Sequence, residues 1–376
     1  MTVTPDDLNQ LPPDAAEVEV MSRAFLSAAA PMSGATVTQR MLVEATVPAM
    51  TGFAATLDGP AITPEEFATF MVRRDDAFRS RMVQNMVFLA LVLRPLPTEV
   101  VERISAFAEA LHVRDDMLTV ALEFATGNLG LAAIDFDRNG YTAAWHPEDA
   151  AALHTARAID APWQADPSDP DLAARWEALE LLPEGTLGRR VTELYRARGF
   201  VYPGLPGSAP PLLAQHDWVH VLADYGTTVE AELEVFAFIA RSNDDPAGFS
   251  LLAMVVSLFE TGYLRSGAGL FEYSPGHLSR QGVAVRVADA MRRGALCPGS
   301  NDFLRVDWFA LADLPVDEVR RRFGVPDKSA AAVAAGSVGP WEAGGITPFQ
   351  VDAGGMLATR AGRPYDPYGA SPAPEE

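Results

Sequence analysis

The chain has 376 residues, 48% of them apolar, and carries a formal charge of −21, with 50 acidic against 29 basic side chains. That length allows two domains with buried cores, and that charge repels a phosphate backbone, so nucleic acid is excluded as a partner. Cys297 is the one cysteine, which excludes an intrachain disulfide and a cysteine-built zinc site and reads as a small buried hydrophobe.

Among the basic residues only Lys328 is lysine, a skew that reflects a GC-rich genome rather than a function. The longest apolar runs, "MVFLALVL" from Met86 and "LLAMVVSLF" from Leu251, fall short of a bilayer span. No basic-then-apolar leader is read at the start. The expected location is cytoplasmic, with apolar docking to the inner membrane face still allowed.

Residues 1–14 are polar and proline-bearing and read as a flexible tail. Residues 15–156 follow a helical pattern and predict a helical bundle. In "ITPEEFATFMVRR" Thr63 is placed as N-cap, Pro64 at the first helical position and Glu66 at the third. "LPTEVVERISAFAEALHV" repeats the device with Thr98, and Val101, Ile104, Phe107, Ala108 and Leu111 recur at helical spacing. The stretch from Arg81 to Val113 resembles the helical domains related to tellurite-resistance protein B, which implies an α-helical module with no assigned role.

"DFDRNGY", residues 135–141, begins like a calcium loop, with Asp135, Asp137, Asn139 and Gly140 in place. The ninth position is Ala143 and the twelfth is His146, where a bidentate glutamate is needed, so a plain turn is expected. His112, His146 and His154 have no evident partners. The Asp-Pro stretch "WQADPSDPDLAAR" marks a linker over 157–171. Helical patterning resumes over 172–326, and residues 327–376, rich in Ala, Gly and Pro, are expected to be disordered. With no strand alternation, the fold class is mainly α, in two helical domains.

"HDWVHVLADYGTTVEAELE", residues 216–234, holds the chemistry. On a helix His216 and His220 are about 40° apart around the axis and roughly 6 Å apart along it, so they share a face. Leu212, Val219 and Ala223 fall on that face, and Asp217 lies at its edge. One continuous helix would carry Glu232 roughly 18 Å from His220. Gly226 as a stop, with Thr227 and Glu230 as a capping box, predicts instead an antiparallel hairpin that returns Glu232 to the level of His220. Val229, Leu233 and Phe236 define the inward stripe of the second helix. Glu232 falls within it, and Glu230 and Glu234 are placed on its solvated flank. An inward carboxylate must be paired or bind a metal. Two histidines and that carboxylate fit a metal site, or a histidine–glutamate hydrogen bond within a helical pair.

H-D-x-x-H, eleven residues and then E is the motif of the coenzyme Q (ubiquinone) biosynthesis family known as Coq-four, and this chain resembles that family over residues 172–326. "LPEGTLGRRVTELYRARGF" from Leu182 resembles its opening segment, and "MRRGALCPGSNDFLRVDWFALADLPVDEVRRRFGVP" its closing one. The resemblance implies a mainly helical fold with a divalent metal, usually zinc, held by His216, Asp217, His220 and Glu232. Mixed imidazole and carboxylate donors also suit manganese or ferrous iron. It further implies a polyprenylated quinone precursor or lipid as ligand. The implied activity is oxidative ring decarboxylation, or organisation of a biosynthetic complex at a membrane surface, with a homo-oligomer also compatible. The chain departs from the family in reading "APPLLAQ" before the motif and Ala231 before the final glutamate.

Two functions follow. One is a metalloenzyme acting on a prenylated ring. The other is a non-catalytic lipid-binding or scaffold protein whose metal pins the hairpin. "FSLLAMVVSLFETGYL" could line a prenyl channel under either, or be plain core.

Overall fold

The computed structural model describes residues 12–113, 118, 169–206, 208, 211, 214–242, 249, 252, 255–256, 260, 276–299 and 301–368. The calcium-loop-like turn, His146, His154, Leu212, most of the 157–171 linker and most of the 249–264 apolar run lie outside those residues. Among the described residues there are thirteen α-helices and two short 3-10 turns, and no strand. The mainly α class holds.

Capping chemistry sets the N-terminal helices: α1 (Ala15–Ala29), α2 (Val37–Thr51), α3 (Pro64–Met71), α4 (Asp76–Leu91) and α5 (Thr98–Ala110). Thr63 and Glu66 close the expected capping box on α3, with Pro64 at its first position. α5 differs, because Pro97 rather than Thr98 is its N-cap and no side chain caps it. The fixed φ of proline presets the extended cap without a side-chain bond. α1 packs on α2, α3, α4 and α5. Val101, Ile104, Phe107, Ala108 and Leu111 are all buried as their spacing predicts, and His112 is exposed.

The second run comprises α6 (Pro170–Ala178), α7 (Leu187–Arg198), α8 (Gln215–Ala223), α9 (Val229–Ser242), α10 (Val283–Leu296) and α11 (Val316–Phe323). α9 lies along α10, and the crossing is close because of Gly294, where a Cβ would stand 2.2 Å from the carbonyl oxygen of Phe238. α10 also packs against α2, so the two helical runs share an interface. The buried Leu233, Phe238, Ile239, Val287 and Met291 are the matching apolar content, each worth about 1.5–3 kcal/mol of transfer free energy. Cys297 is buried, as expected, and burial pushes its thiol up to about 11.

The C-terminal segment corrects the sequence expectation. Residues 327–368 are not a disordered tail. They form α12 (Ala330–Ala334) and α13 (Pro348–Arg360), and α13 packs on α7. Composition misled because glycine serves packing here: Gly354 lies against the chain of α7, and an added Cβ would meet the carbonyl oxygen of Ala197 at 2.3 Å. Thr347 and Gln350 supply a full capping box for α13.

Candidate metal centre

The hairpin forms, by other turn chemistry than the sequence suggested. α8 ends at Asp224, whose φ of 63° and ψ of 49° are left-handed, a conformation aspartate tolerates better than most residues. Gly226 is not the stop. Its need for glycine is a close approach, since a Cβ there would lie 2.5 Å from the Cα of Gly345. The first turn of α9 is capped by Thr228, whose hydroxyl accepts from the amide of Ala231 at 3.3 Å. Thr227 turns instead towards Arg198 and Gln350.

His216, Asp217 and His220 bring ligand atoms within 4.8 Å of one another, and all three are buried. Glu232 joins them from α9. Its Oε2 lies 3.4 Å from His216 Nε2 and its Oε1 lies 3.2 Å from His220 Nε2, while Asp217 Oδ1 is 3.5 Å from His216 Nε2. Donor atoms at tetrahedral corners about 2.0–2.2 Å from a zinc ion would be separated by roughly 3.3–3.6 Å. Three donor pairs, His216–Asp217, His216–Glu232 and His220–Glu232, match that separation.

His220 and Asp217 are each oriented by a neighbour. His220 Nδ1 lies 2.7 Å from the carbonyl oxygen of Gly226. A carbonyl only accepts, so Nδ1 carries a proton and Nε2 is the ring atom turned towards Glu232. That Nε2 is buried, 3.2 Å from Glu232 Oε1, and no well-formed hydrogen bond satisfies it. A buried nitrogen facing a carboxylate needs a proton or a cation between them, so this position takes either a histidine–glutamate bond or a metal ion. The hydroxyl of Tyr195 on α7 donates to Asp217 Oδ2 at 2.6 Å. Burial, then Asp217, keeps that phenol neutral far above its ordinary range. Burial also pushes the Asp217 carboxyl up, against the pull of the imidazoles and Tyr195. For Glu232 burial acts upward too, but the two imidazoles outweigh it and hold the carboxyl at about 2.

The other two glutamates of α9 need correcting. Glu234 is fully buried rather than solvated, and its Oε2 accepts from Arg286 of α10 at 2.6 Å. Glu230 binds His277 Nδ1 at 2.8 Å and Arg280 at 2.5 Å. A helical wheel assigns the face but not the neighbour, and α10 with the residues just before it covers the flank that was expected to meet water.

The segments quoted as flanking the motif close around it. Trp218 of α8 stacks on Trp308 with ring centroids 6.1 Å apart, and Phe236 lies 5.1 Å from the His216 ring. Arg320 donates to the carbonyls of Leu222 and Val221 at 2.7 and 3.1 Å, and Arg293 to that of Ala223 at 2.8 Å. These arginines satisfy the open carbonyls at the end of the histidine helix and complement its dipole. Tyr195 and Arg198 had no role in the sequence reading, and Gly226 was read only as a helix stop. Tyr195 and Arg198 lay inside a quoted segment, but nothing in the spacing aimed them at the motif.

No protein-family model matches the chain, and no curated protein matches it. The crystal structure of a putative ubiquinone biosynthesis protein from Nostoc punctiforme aligns with 66% of this chain and 99% of its own, at 20% identity and a TM-score of 0.30. Likeness of that degree assigns neither fold nor function. Among the described residues no helix is long and apolar enough to cross a membrane.

Proposed function

We propose that the α8–α9 hairpin binds one divalent metal ion, zinc before manganese or iron, through His216, Asp217, His220 and Glu232. The observation that carries the reading is His220, whose Nδ1 is fixed on the Gly226 carbonyl and whose buried, unsatisfied Nε2 faces His216 and Glu232. The motif spacing H-D-x-x-H-x11-E supports extending the reading to function. The protein then acts on a polyprenylated quinone precursor, in ring decarboxylation or hydroxylation within quinone or related isoprenoid-lipid biosynthesis.

A bound divalent ion would supply Lewis acidity to polarise a ring carboxylate or its neighbouring oxygen. The residues around it do the rest. Tyr195 holds the Asp217 carboxylate, the Gly226 carbonyl fixes the His220 ring, and Phe236 packs against the ring of His216.

Burial favours a second reading. His216, Asp217, His220 and Glu232 are all at most 6% exposed, and four buried protein donors make the closed set of a structural site. In that case the metal pins the hairpin of a non-catalytic lipid-binding or scaffold protein. Cobalt substitution separates the two: azide added to the cobalt protein shifts the visible spectrum if a coordination position is open and leaves it unchanged if the set is closed. Native mass spectrometry of the same preparation reads any polyprenyl lipid retained. Absence of cobalt uptake would sink both readings.

A further inference from the structure

The residues outside the family-like region converge on the turn that orients His220. The Gly226 amide donates to the Val338 carbonyl at 3.0 Å, and the Thr227 amide to the Gly345 carbonyl at 2.8 Å. The Gln350 side chain grips the same residue twice: its Nε2 donates to the Thr227 carbonyl at 3.1 Å, and its Oε1 accepts from the Thr227 hydroxyl at 2.9 Å. Gln350 is fully buried, 123 positions along the chain from Thr227. Arg198, also fully buried, completes the joint from α7, donating to Thr227 Oγ1 at 2.6 Å and to the Pro340 carbonyl at 2.7 Å. Backbone contact is direct as well, because the Gly226–Gly345 approach leaves no room for a Cβ on Gly226.

Every one of these bonds ends on Gly226 or Thr227, or on a group that holds them. The Gly226 carbonyl is the group that bonds His220 Nδ1. The path therefore runs from Gln350 to Thr227, through one peptide to Gly226, and across 2.7 Å to a metal-donor ring. A partner that fixes the tautomer and angle of a ligating histidine governs its donor strength, and losing such a partner costs about 10–100-fold in metal affinity.

We propose that residues 338–350 are a positioning strap for the metal centre, with Gln350 the side chain that sets the orientation of His220 and with it the metal affinity. This rests on the metal reading of the hairpin. Gln350 touches no ligand; it acts through Thr227 and Gly226.

The test is a competition titration of zinc(II) against a chromogenic chelator on the metal-stripped full-length protein. Long-range proton–nitrogen spectra of the histidine rings are recorded alongside. Gln350→Ala should weaken zinc binding by about 10–100-fold and convert the His220 ring from the single Nδ1–H tautomer to a mixture. Thr359→Ala is the control, since its exposed hydroxyl bonds the Gly355 carbonyl within α13, away from Gln350 and the turn, and it should leave affinity within about twofold. If Gln350→Ala does not fold, Gln350→Met fills the same volume without the hydrogen bonds and should show the same loss. Unchanged zinc affinity or an unchanged His220 tautomer in the folded variant overturns the strap, as does an equal loss in Thr359→Ala. Failure of the unmodified protein to take up zinc overturns the metal reading itself.

Discussion

Tyr195 and Asp217 are joined by a 2.6 Å hydrogen bond between two buried groups on different helices. Tyr195 comes from α7 and Asp217 from α8, so the bond ties the opening segment of the family-like region to the motif. The donor is held neutral by burial and by Asp217 itself. It therefore orients the carboxylate without competing for a cation.

Removing that hydroxyl tests its role. Tyr195→Phe keeps the ring that packs against Trp176 at 4.9 Å and deletes only the bond to Asp217. Zinc affinity should fall about 10-fold or more, while thermal stability of the metal-free protein drops only modestly, by about 1 kcal/mol. Calorimetric zinc titration with parallel urea unfolding reads both. Equal zinc affinity in the two proteins would remove Tyr195 from the site.

Glu232 and Glu234 should separate sharply. Glu232→Gln should abolish or greatly weaken metal binding, because Glu232 faces both imidazoles at 3.2 and 3.4 Å. Glu234→Gln should leave zinc binding nearly intact but destabilise the fold by roughly 1–3 kcal/mol, because it neutralises one half of a buried pair with Arg286. Zinc titration and denaturation of both variants check this. Equal metal losses would mean that the register of α9 is not the one described.

Much of the site was legible because helix geometry is local. Residues four apart share a face, and a turn returns the chain, so His216, His220 and Glu232 could be brought together from spacing alone. The environment of Glu234 was not legible, since its buried neighbour Arg286 is 52 positions away. The turn was misread for a related reason. Gly226 looked like a helix stop, but its small size serves contact with Gly345, more than a hundred positions on. The same contacts explain why an Ala/Gly-rich tail folds. Composition reports how easily a segment can be left disordered, not whether a groove elsewhere in the chain fits it.

Arg198 tests whether the tail is part of the fold. Its Nε and Nη2 donate to Thr227, Pro340 and Gly345 from a fully buried position. Burial drags the guanidinium down to about 9, with Tyr365, Asp217 and Glu232 opposing it. Arg198→Lys retains the charge and loses the fork that reaches three partners. It should cost about 3 kcal/mol in urea unfolding and expose residues 337–368 to proteolysis. A tail that stays protected in this variant would contradict the packing.

Cys297 gives the pH dependence. Burial raises its thiol in the fold from 9.0 to about 11. With the folded value above the unfolded one, the contribution to stability is fully present below pH 9 and is lost as pH rises through 11. Native protein at pH 8 should react slowly with a thiol reagent, and one thiol per chain should react rapidly in guanidinium. Cys297→Ala should flatten the fall in stability above pH 9. Rapid reaction of the native thiol would show that it is not enclosed.

The central claim is a metal bound where α8 and α9 meet, and elemental analysis of protein purified without chelator tests it most directly. The account predicts close to one divalent ion per chain, mostly zinc, and almost none in His220→Ala or Glu232→Gln proteins that retain native circular dichroism. No metal in the unmodified protein, with none taken up on dialysis against zinc, would contradict it.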